Sequence, residues 1–308
     1  MTTTMNPPLV SITITTRNEA ANIENCLKSI LAQTYPHERL EIIVVDNSST
    51  DATKAIALRY TPKVFDKGPE RSAQRNCGML EKSAGEFVMF LDADMIMAPG
   101  LVEACVKAMS DPAVLALHIP EIVLGTCYFS RVRRFERSFY DGTVIDGARF
   151  FRKEAFSRVG GFDETMSGPE DWDIDKKIKA LGGIALLSSE GDLPQGWPLR
   201  EFILARGVGP DKLSAVVYHN EAEFEVCKYL SKKSYYARSF DGYISKWGRD
   251  DADIQRQFGL WYRYFGVFLE NGKWRRLLAH PLRCCGMYFL RFAVGVAFLR
   301  SKLGGAAA

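Results

Sequence analysis

The sequence predicts an α/β protein with a doubly wound, helix-covered sheet, and three observations carry that reading. Strand and helix signals alternate from Val10 to Leu91, as they do in open sheets wound by crossover helices. The runs Ile42-Ile43-Val44-Val45 and Phe87-Val88-Met89-Phe90-Leu91 are continuously apolar, the pattern of strands buried on both faces. Each run ends in an aspartate, Asp46 or Asp92, at the carboxyl edge where such sheets place their ligands.

The elements follow in order. Val10 to Thr15 alternates and is rich in β-branched residues, so it reads as the first strand. Ile23, Cys26, Leu27, Ile30 and Leu31 recur at the helical period, which predicts a helix from Asn18-Glu19 that stops before Pro36. After the second strand, the small polar run Asp46-Asn47-Ser48-Ser49-Thr50-Asp51 supplies an N-cap for a helix through Ile56 and Tyr60. A helix from Ser72 to Lys82 buries Ala73, Cys77 and Leu80. Arg71 and Arg75 lie one turn apart, so both guanidinium groups can face one anion such as a diphosphate.

The strand Phe87 to Leu91 ends in Asp92-Ala93-Asp94. In extended backbone the two carboxylates point the same way, and a hard divalent cation such as Mg²⁺ or Mn²⁺ would relieve their repulsion. The same pair also suits a helix cap or a turn, and the pattern alone does not choose.

Helix Leu101 to Met109, strand Val114 to Ile119 and helix Cys127 to Tyr140 come next. The last carries Arg131, Arg133 and Arg134, either a solvated face or a grip for an anionic acceptor. Glu170-Asp171 opens a helix striped by Ile174, Ile178 and Leu181. Ser188 to Asp211 is rich in Gly and Pro and reads as a long loop around a short helix, Leu199 to Arg206, of the kind that closes over a site. Val216 to His219 is a short strand ending on a histidine.

Composition sets the outer limits. At 308 residues and 47% hydrophobic content the chain can bury a large core. Its seven cysteines form no C-x-x-C pair, which argues against zinc and against a disulfide framework, and fits a reducing compartment. The polar Met1 to Pro8 stretch lacks the apolar core of a secretory signal. The net charge of +3 hides a division: residues 271–308 hold seven basic residues and no acid, which leaves 33 bases against 37 acids upstream. A +7 tail calls for an anionic partner. Phe224 to Tyr243 is expected to be a helix in which Tyr229, Leu230, Tyr235, Tyr236 and Phe240 interleave with Lys228, Lys232, Lys233 and Arg238. Gln257 to Leu269 is similarly aromatic. Cys284 to Leu299 is apolar except for Arg291, but it falls short of the roughly twenty residues a spanning helix needs, so a monotopic or re-entrant helix is expected.

Four pieces in one order carry a resemblance: Thr16-Arg17-Asn18-Glu19, Val45 to Asp51, Ala73-Gln74-Arg75-Asn76-Cys77-Gly78, and Phe90 to Asp94. Together they resemble family 2 glycosyltransferases over residues 8 to 220. The resemblance implies the GT-A fold, a Rossmann-like doubly wound mixed sheet, here with a C-terminal helical, membrane-associating extension. It implies that Thr16, Arg17, Asn18, Glu19 and Asp46 line the nucleoside site, with Arg71 or Arg75 assisting the diphosphate. Asp92 and Asp94 would hold Mn²⁺ or Mg²⁺, with His219 as a further ligand and Asp92 also near the donor. Gly147 to Lys153 and Val159 to Glu164 resemble the segment that builds the acceptor side. Asp171 matches the aspartate that acts as general base in inverting members, and Glu170 is the alternative.

The domains expected are 1–220, catalytic, and 221–308, helical and at a membrane interface. The expected reaction moves one sugar from a nucleotide-diphosphate sugar, UDP-sugar favoured, to a lipid-linked glycan at the cytoplasmic side of the cell membrane. No nucleic acid is expected as a partner. Gln195-Gly196-Trp197 departs from the Gln-x-x-Arg-Trp motif of processive synthases, so single addition is expected. A polyprenyl-phosphate glycosyl synthase is the alternative. A sugar nucleotidylyltransferase would need a Gly-rich loop after the first strand, and Thr15 to Glu19 contains no glycine. A non-catalytic scaffold sits poorly with the intact acidic set.

Overall fold

The computed structural model describes residues 6–188, 193–209, 215–221, 224–226, 229–231, 235 and 239–304. The strands are β1 (Val10–Thr16), β2 (Leu40–Asp46), β3 (Val64–Asp66), β4 (Phe87–Asp92), β5 (Met95–Met97), β6 (Val114–His118), β7 (Glu121–Val123), β8 (Ala148–Arg152), β9 (Gly183–Leu186) and β10 (Val217–His219). Seven of them form one sheet in the order β3-β2-β1-β4-β8-β6-β9. β1 runs parallel to β2 and β4, whereas β8 is antiparallel to β4 and β6, so the sheet is mixed. The chain winds outward from β1 to β3 and then returns to the other side of β1 for β4. That reversal opens a crevice at the carboxyl ends of β1 and β4.

The two faces of the sheet follow the period of two. Ile12, Ile14, Val44, Met89 and Leu91 join one core with Leu27, Ile30 and Cys105. Val88 and Phe90 face the other way, into a core with Phe151, Phe156, Ile174 and Ile178. Helices α1 (Ile23–Leu31), α2 (Thr53–Ala57), α3 (Arg71–Asn76), α4 (Leu101–Ala108), α5 (Tyr128–Arg137), α6 (Lys153–Arg158), α7 (Glu170–Lys179) and α8 (Arg200–Leu204) cover these faces and edges. π-helical turns continue α3 through Cys77–Lys82, and Gly78 there lies so close to β1 that a Cβ would stand 2.2 Å from Thr13 Cγ2. A smaller sheet, β5-β10-β7, crosses the end of β4. Its register pairs His219 with Met95 on one side and Val123 on the other.

Some expectations shift. The first helix starts at Ile23 instead of Asn18, because Asn18 takes a left-handed backbone (φ 55°) and its side-chain oxygen accepts from Thr50 N at 2.8 Å. Residues 17–22 are therefore a loop laced to the loop after β2. Leu181 lies beyond the end of α7 and is exposed. Arg133 and Arg134 are not a solvated face: Arg133 is buried, and Arg134 donates to the carbonyls of Val123, Gly125, Arg206 and Gly207. Gly191, Pro210, Asp211, Cys227, Tyr236, Lys228, Lys232, Lys233 and Arg238 lie outside the described residues. Every cysteine among the described residues is free.

The C-terminal helices Phe240–Trp247, Ala252–Phe258, Trp274–Ala279 and Pro281–Gly304 dock at two seams. At one, Val267, Phe268, Met287 and Leu290 pack on Val132, Phe135 and Phe139 from α5 and its continuation. At the other, Trp172 of α7 meets the rings of Phe240, Tyr243 and Phe258, Trp247 Nε1 donates to Asp173 at 2.8 Å, and Lys246 bridges Asp173 and Asp163. Among the described residues no helix is long and apolar enough to cross a membrane. The helix Pro281–Gly304 packs on α5 along one side, through Cys284, Met287, Tyr288 and Leu290.

Candidate active site

A cleft of about 690 Å³ opens where β1, β4, α3, α7 and the small sheet converge. Its floor is the end of β4. Asp92 accepts from Thr15 Oγ1 of the neighbouring strand at 2.9 Å and faces Arg75 at 3.5 Å and Arg71 at 3.9 Å. Burial alone would raise the Asp92 carboxyl, but Arg75, Arg71 and Arg149 together hold it well below the usual carboxylate range. It is ionised at any working pH.

Asp94 follows a turn after Asp92 and faces the small sheet. Its Oδ2 lies 3.1 Å from His219 Nε2, while Oδ1 is buried and has no hydrogen-bond partner. The His219 ring is held on its other side by Glu121, whose Oε1 is 2.9 Å from Nδ1. Desolvation would keep the ring neutral, but Asp94 and Glu121 raise its pKa well above the ordinary value. Glu121 also accepts from Arg149 at 2.8 Å and faces Arg137 at 3.6 Å. Burial opposes its charge, yet Arg137 and His219 hold its carboxyl far below normal.

A fully buried acceptor without a donor costs free energy unless something satisfies it. Asp94 Oδ1 is such an atom, and Asp92 and Glu19 share its corner. Desolvation, and then the charges of Asp94 and Asp92, raise the Glu19 carboxyl, with the Asn22 hydrogen bond opposing. Unsatisfied carboxylate oxygen in an acidic corner fits a hard divalent cation. Among the described residues no trio of His, Cys, Asp or Glu is drawn together tightly enough to hold an ion unaided. That fits an ion completing its shell with phosphate oxygens and water.

The opposite wall is the first turn of α7. Asp171 is one-third exposed to the cleft, and its Oδ1 accepts from Arg75 Nη1 at 2.9 Å. Glu170 is buried, accepts from Arg71 at 3.1 Å, and also bonds the backbone of Gly168. Its pKa is raised first by burial and then by Asp171, with Arg71 and Arg75 opposing. Gly147 lies directly behind the Asp171 side chain, where a Cβ would come within 2.7 Å of Asp171 Cβ. α7 is held in register by Asp175, which accepts from Ala148 N at 3.0 Å and lies 2.6 Å from His118 Nε2.

The family model described as Glycosyl transferase family 2 matches residues 11–160, which hold the floor of this cleft. Residues 11–160 are a family 2 glycosyltransferase domain. Glycosyltransferase AglE of Haloferax volcanii is 37% identical over 121 residues, 37% of this chain and 39% of that protein. The validoxylamine A glucosyltransferase of Streptomyces hygroscopicus subsp. jinggangensis is 33% identical over 132 residues, 41% of this chain and 30% of that protein. The matched region thus spans 30% to 39% of these relatives' length. Among solved structures, the mannosyltransferase PcManGT of Pyrobaculum calidifontis, in complex with GDP-Man and Mn²⁺, superposes with a TM-score of 0.56 at 20% identity, covering 99% of this chain and 81% of that one. S. aureus TarS gives 0.52 at 17% identity, covering 94% and 54%. The fold is GT-A.

Within the family 2 domain and the wall facing it, Thr16, Arg17, Glu19, Arg71, Arg75, Asp92, Asp94, Glu170, Asp171 and His219 all line one cleft. Two predicted residues are placed elsewhere. Asp46 is wholly buried, and both its oxygens are taken by Ser49, through Ser49 N at 2.7 Å and Oγ at 2.5 Å, so it shapes the loop after β2 and Asn47 lines the cleft instead. Asn18 ties that same loop to β1 and does not line the cleft. Arg75 is also not the open diphosphate ligand its helix position suggests: it is almost fully buried over the Phe90 ring at 3.9 Å and bridges Asp92 to Asp171.

Sequence reasoning missed Glu121, Arg137 and Arg149. The signal for Glu121 was a lone acid in the apolar stretch Ile119 to Leu124, and for Arg149 a charge inside the strand Ala148 to Phe151.

Proposed function

We propose that the protein is a metal-dependent, inverting glycosyltransferase that moves one sugar from a nucleotide-diphosphate sugar to a hydroxyl of a lipid-linked glycan. The observation that carries this reading is the pair of carboxylates that face one cleft, Asp92 on its floor and Asp171 on its wall, joined through Arg75. The floor serves the leaving diphosphate and the wall the attacking hydroxyl. Thr16, Arg17, Glu19 and Asn47 border the nucleoside end, and Arg71, the more exposed of the two arginines, faces the diphosphate.

A divalent Mn²⁺ or Mg²⁺ held by Asp92, Asp94 and His219 would neutralise the charge that develops on the departing nucleoside diphosphate. Asp171 takes the proton of the acceptor hydroxyl as its oxygen bonds to the anomeric carbon and the bond from that carbon to phosphate breaks. Glu170, buried against Arg71, positions this turn of α7. Gly147 leaves room for the Asp171 side chain and Arg75 holds its Oδ1, while the C-terminal helices pack on the adjacent Trp172.

We assign 1–220 to catalysis and 221–308 to a helical region serving the membrane surface on the cytoplasmic side. The acid-free, +7 tail supports a peripheral placement there and so a lipid-linked acceptor. A UDP-sugar donor follows from the sequence reading, while the mannosyltransferase structure with GDP-Man brings GDP-sugars beside it.

The experiment is release of nucleoside diphosphate from UDP-, GDP- and dTDP-sugars by the full chain, with Mn²⁺ or with chelator, beside Asp94→Ala. One donor cleaved only with metal, and not by the variant, supports the reading. Absence of nucleotide-sugar binding by calorimetry would sink it.

A further inference from the structure

In residues 6–221 the exposed large apolar side chains, such as Leu31, Leu58 and Leu186, are scattered, which is ordinary for a soluble surface. After residue 259 they gather. Leu260, Trp261, Leu278, Leu282, Phe289 and Phe292 are each between 56% and 76% exposed.

Their spacing makes a face. In the helix Pro281–Gly304, Leu282, Cys285, Phe289 and Phe292 recur at intervals of three and four and are exposed, so they share one side. The other side, Gly286, Met287 and Leu290, is buried on α5, where a Cβ on Gly286 would come 2.5 Å from Tyr128 Oη. The helix is apolar on both sides, and only one is covered. The exposed side continues through ring contacts: Phe289 stacks on Phe129 at 6.1 Å, Phe265 lies 6.4 Å from Tyr288, and Trp261 lies 5.0 Å from Phe265.

Charge identifies the occupant. Arg275, Arg276 and Arg283 are exposed beside Trp274, Leu278 and Leu282, and no acid occurs from residue 271 onward. An apolar face edged by cations, whose single acid within 260–292, Glu270, is paired with Arg256 and Tyr262, is complementary to an anionic lipid surface, where arginine stems lie along the acyl boundary and their heads meet phosphate. Among the described residues no helix is long and apolar enough to cross a bilayer.

We propose that residues 260–292 form a docking face for an anionic bilayer, with Trp261, Leu278, Leu282, Phe289 and Phe292 entering the acyl boundary. The face bears on the active site because the helix that carries it packs on α5, and α5 extends Arg133 and Arg137 into the cleft. One helix diameter, about 10 Å, therefore separates the lipid surface from the cleft wall. This deepens the acceptor half of the proposed function, but its test needs no transfer reaction.

The full chain is floated with vesicles of phosphatidylcholine alone or of an equal mixture with phosphatidylglycerol, at low and high salt. Flotation with the mixed vesicles, weaker with the neutral ones and weakened by salt, is expected. Leu282→Ser/Phe289→Ser/Phe292→Ser should lower vesicle partitioning by about 1,000-fold, since each side chain contributes roughly tenfold. Its melting temperature and nucleotide-sugar binding should match the parent chain. Arg275→Glu/Arg283→Glu changes only exposed charge, and should erase the preference for anionic vesicles even if the apolar variant folds poorly. A parent chain that floats with neither vesicle overturns the proposal. So does an Arg275→Glu/Arg283→Glu variant with an unchanged preference, or a dimer seen by light scattering that the serine substitutions dissociate. Flotation without nucleotide-sugar binding would leave the docking face standing and overturn the proposed function instead.

Discussion

The two ends of the molecule break the rule of apolar inside and polar outside in opposite ways. Around the cleft, charge is buried: Arg75, Glu121, Glu170 and His219 are buried, and Asp92 is partly so, within paired contacts. In the C-terminal helices apolar surface is exposed, from Leu260 to Phe292. Buried charge is costly unless paired, so it persists where geometry must be held against substrate. Exposed apolar area is costly in water, so it marks a surface that spends its working life out of water. One departure locates chemistry and the other locates a partner.

If that contrast is right, substitutions in the two regions separate activity from stability. The largest effect is expected for Asp171→Asn, which keeps the shape and the Arg75 contact but removes the base. Transfer to a hydroxyl acceptor should fall about 10²- to 10⁴-fold with nucleotide binding intact. Near-normal turnover would point to the polyprenyl-phosphate alternative, whose acceptor is already ionised.

The α5 seam tests whether the C-terminal helices belong to the same folding unit. Phe139 is buried between Phe135 and Phe268, so Phe139→Ala should cost about 3–5 kcal/mol by denaturant unfolding. Phe292→Ser, on the exposed side of the same assembly, should stay within about 0.5 kcal/mol. Equal costs would erase the distinction between the two faces of that helix.

Glu121→Gln leaves a hydrogen-bonding group beside His219 but removes the charge that orients the ring. Mn²⁺ affinity of the folded apo protein, read by electron paramagnetic resonance, should weaken about 10- to 100-fold, and the melting temperature should also fall because the buried Arg149 and Arg137 lose a partner. Gly147→Ala should push on Asp171 and lower kcat roughly tenfold without changing donor affinity.

The smallest effect is at the α7 seam. Burial would raise the Asp163 carboxyl, but hydrogen bonds from Lys246 and Thr165 bring it down to about 2. A carboxyl depressed on folding stabilises above its unfolded pKa, near 4, and that contribution is lost as pH falls toward 2. The site is partly solvated, so the gain is at most about 1 kcal/mol. Asp163→Asn should remove it, seen as a flatter acid limb of the unfolding curve between about pH 4 and pH 2.

The strands and their ends were legible in sequence because a strand's burial is written in short, local runs: Ile42 to Val45 and Phe87 to Leu91 fall where they were expected. So was the aspartate cluster, since Asp92, Asp94, Glu170 and Asp171 sit in recognisable order and line one cleft. What a side chain faces was not written there. Asp46 and Asp92 end the two strands that flank β1 with the same local signal, yet one turns inward to Ser49 and the other into the cleft. Arg75 looks like a surface arginine one turn from Arg71, and only the packing of α3 over Phe90 and against α7 makes it the buried bridge between two carboxylates. Glu121 reaches His219 only because the small sheet brings β7 and β10 together across 98 residues. The sequence by itself determined the long buried strands, most of the helices and which segments carry acids, because those depend on neighbours along the chain, whereas the short strands β3, β5, β7 and β9 took form only through pairing with distant partners. The tertiary structure alone decided which acids are paired, which are open to a ligand, and which face of the last helix stays bare, because burial and charge pairing depend on neighbours in space.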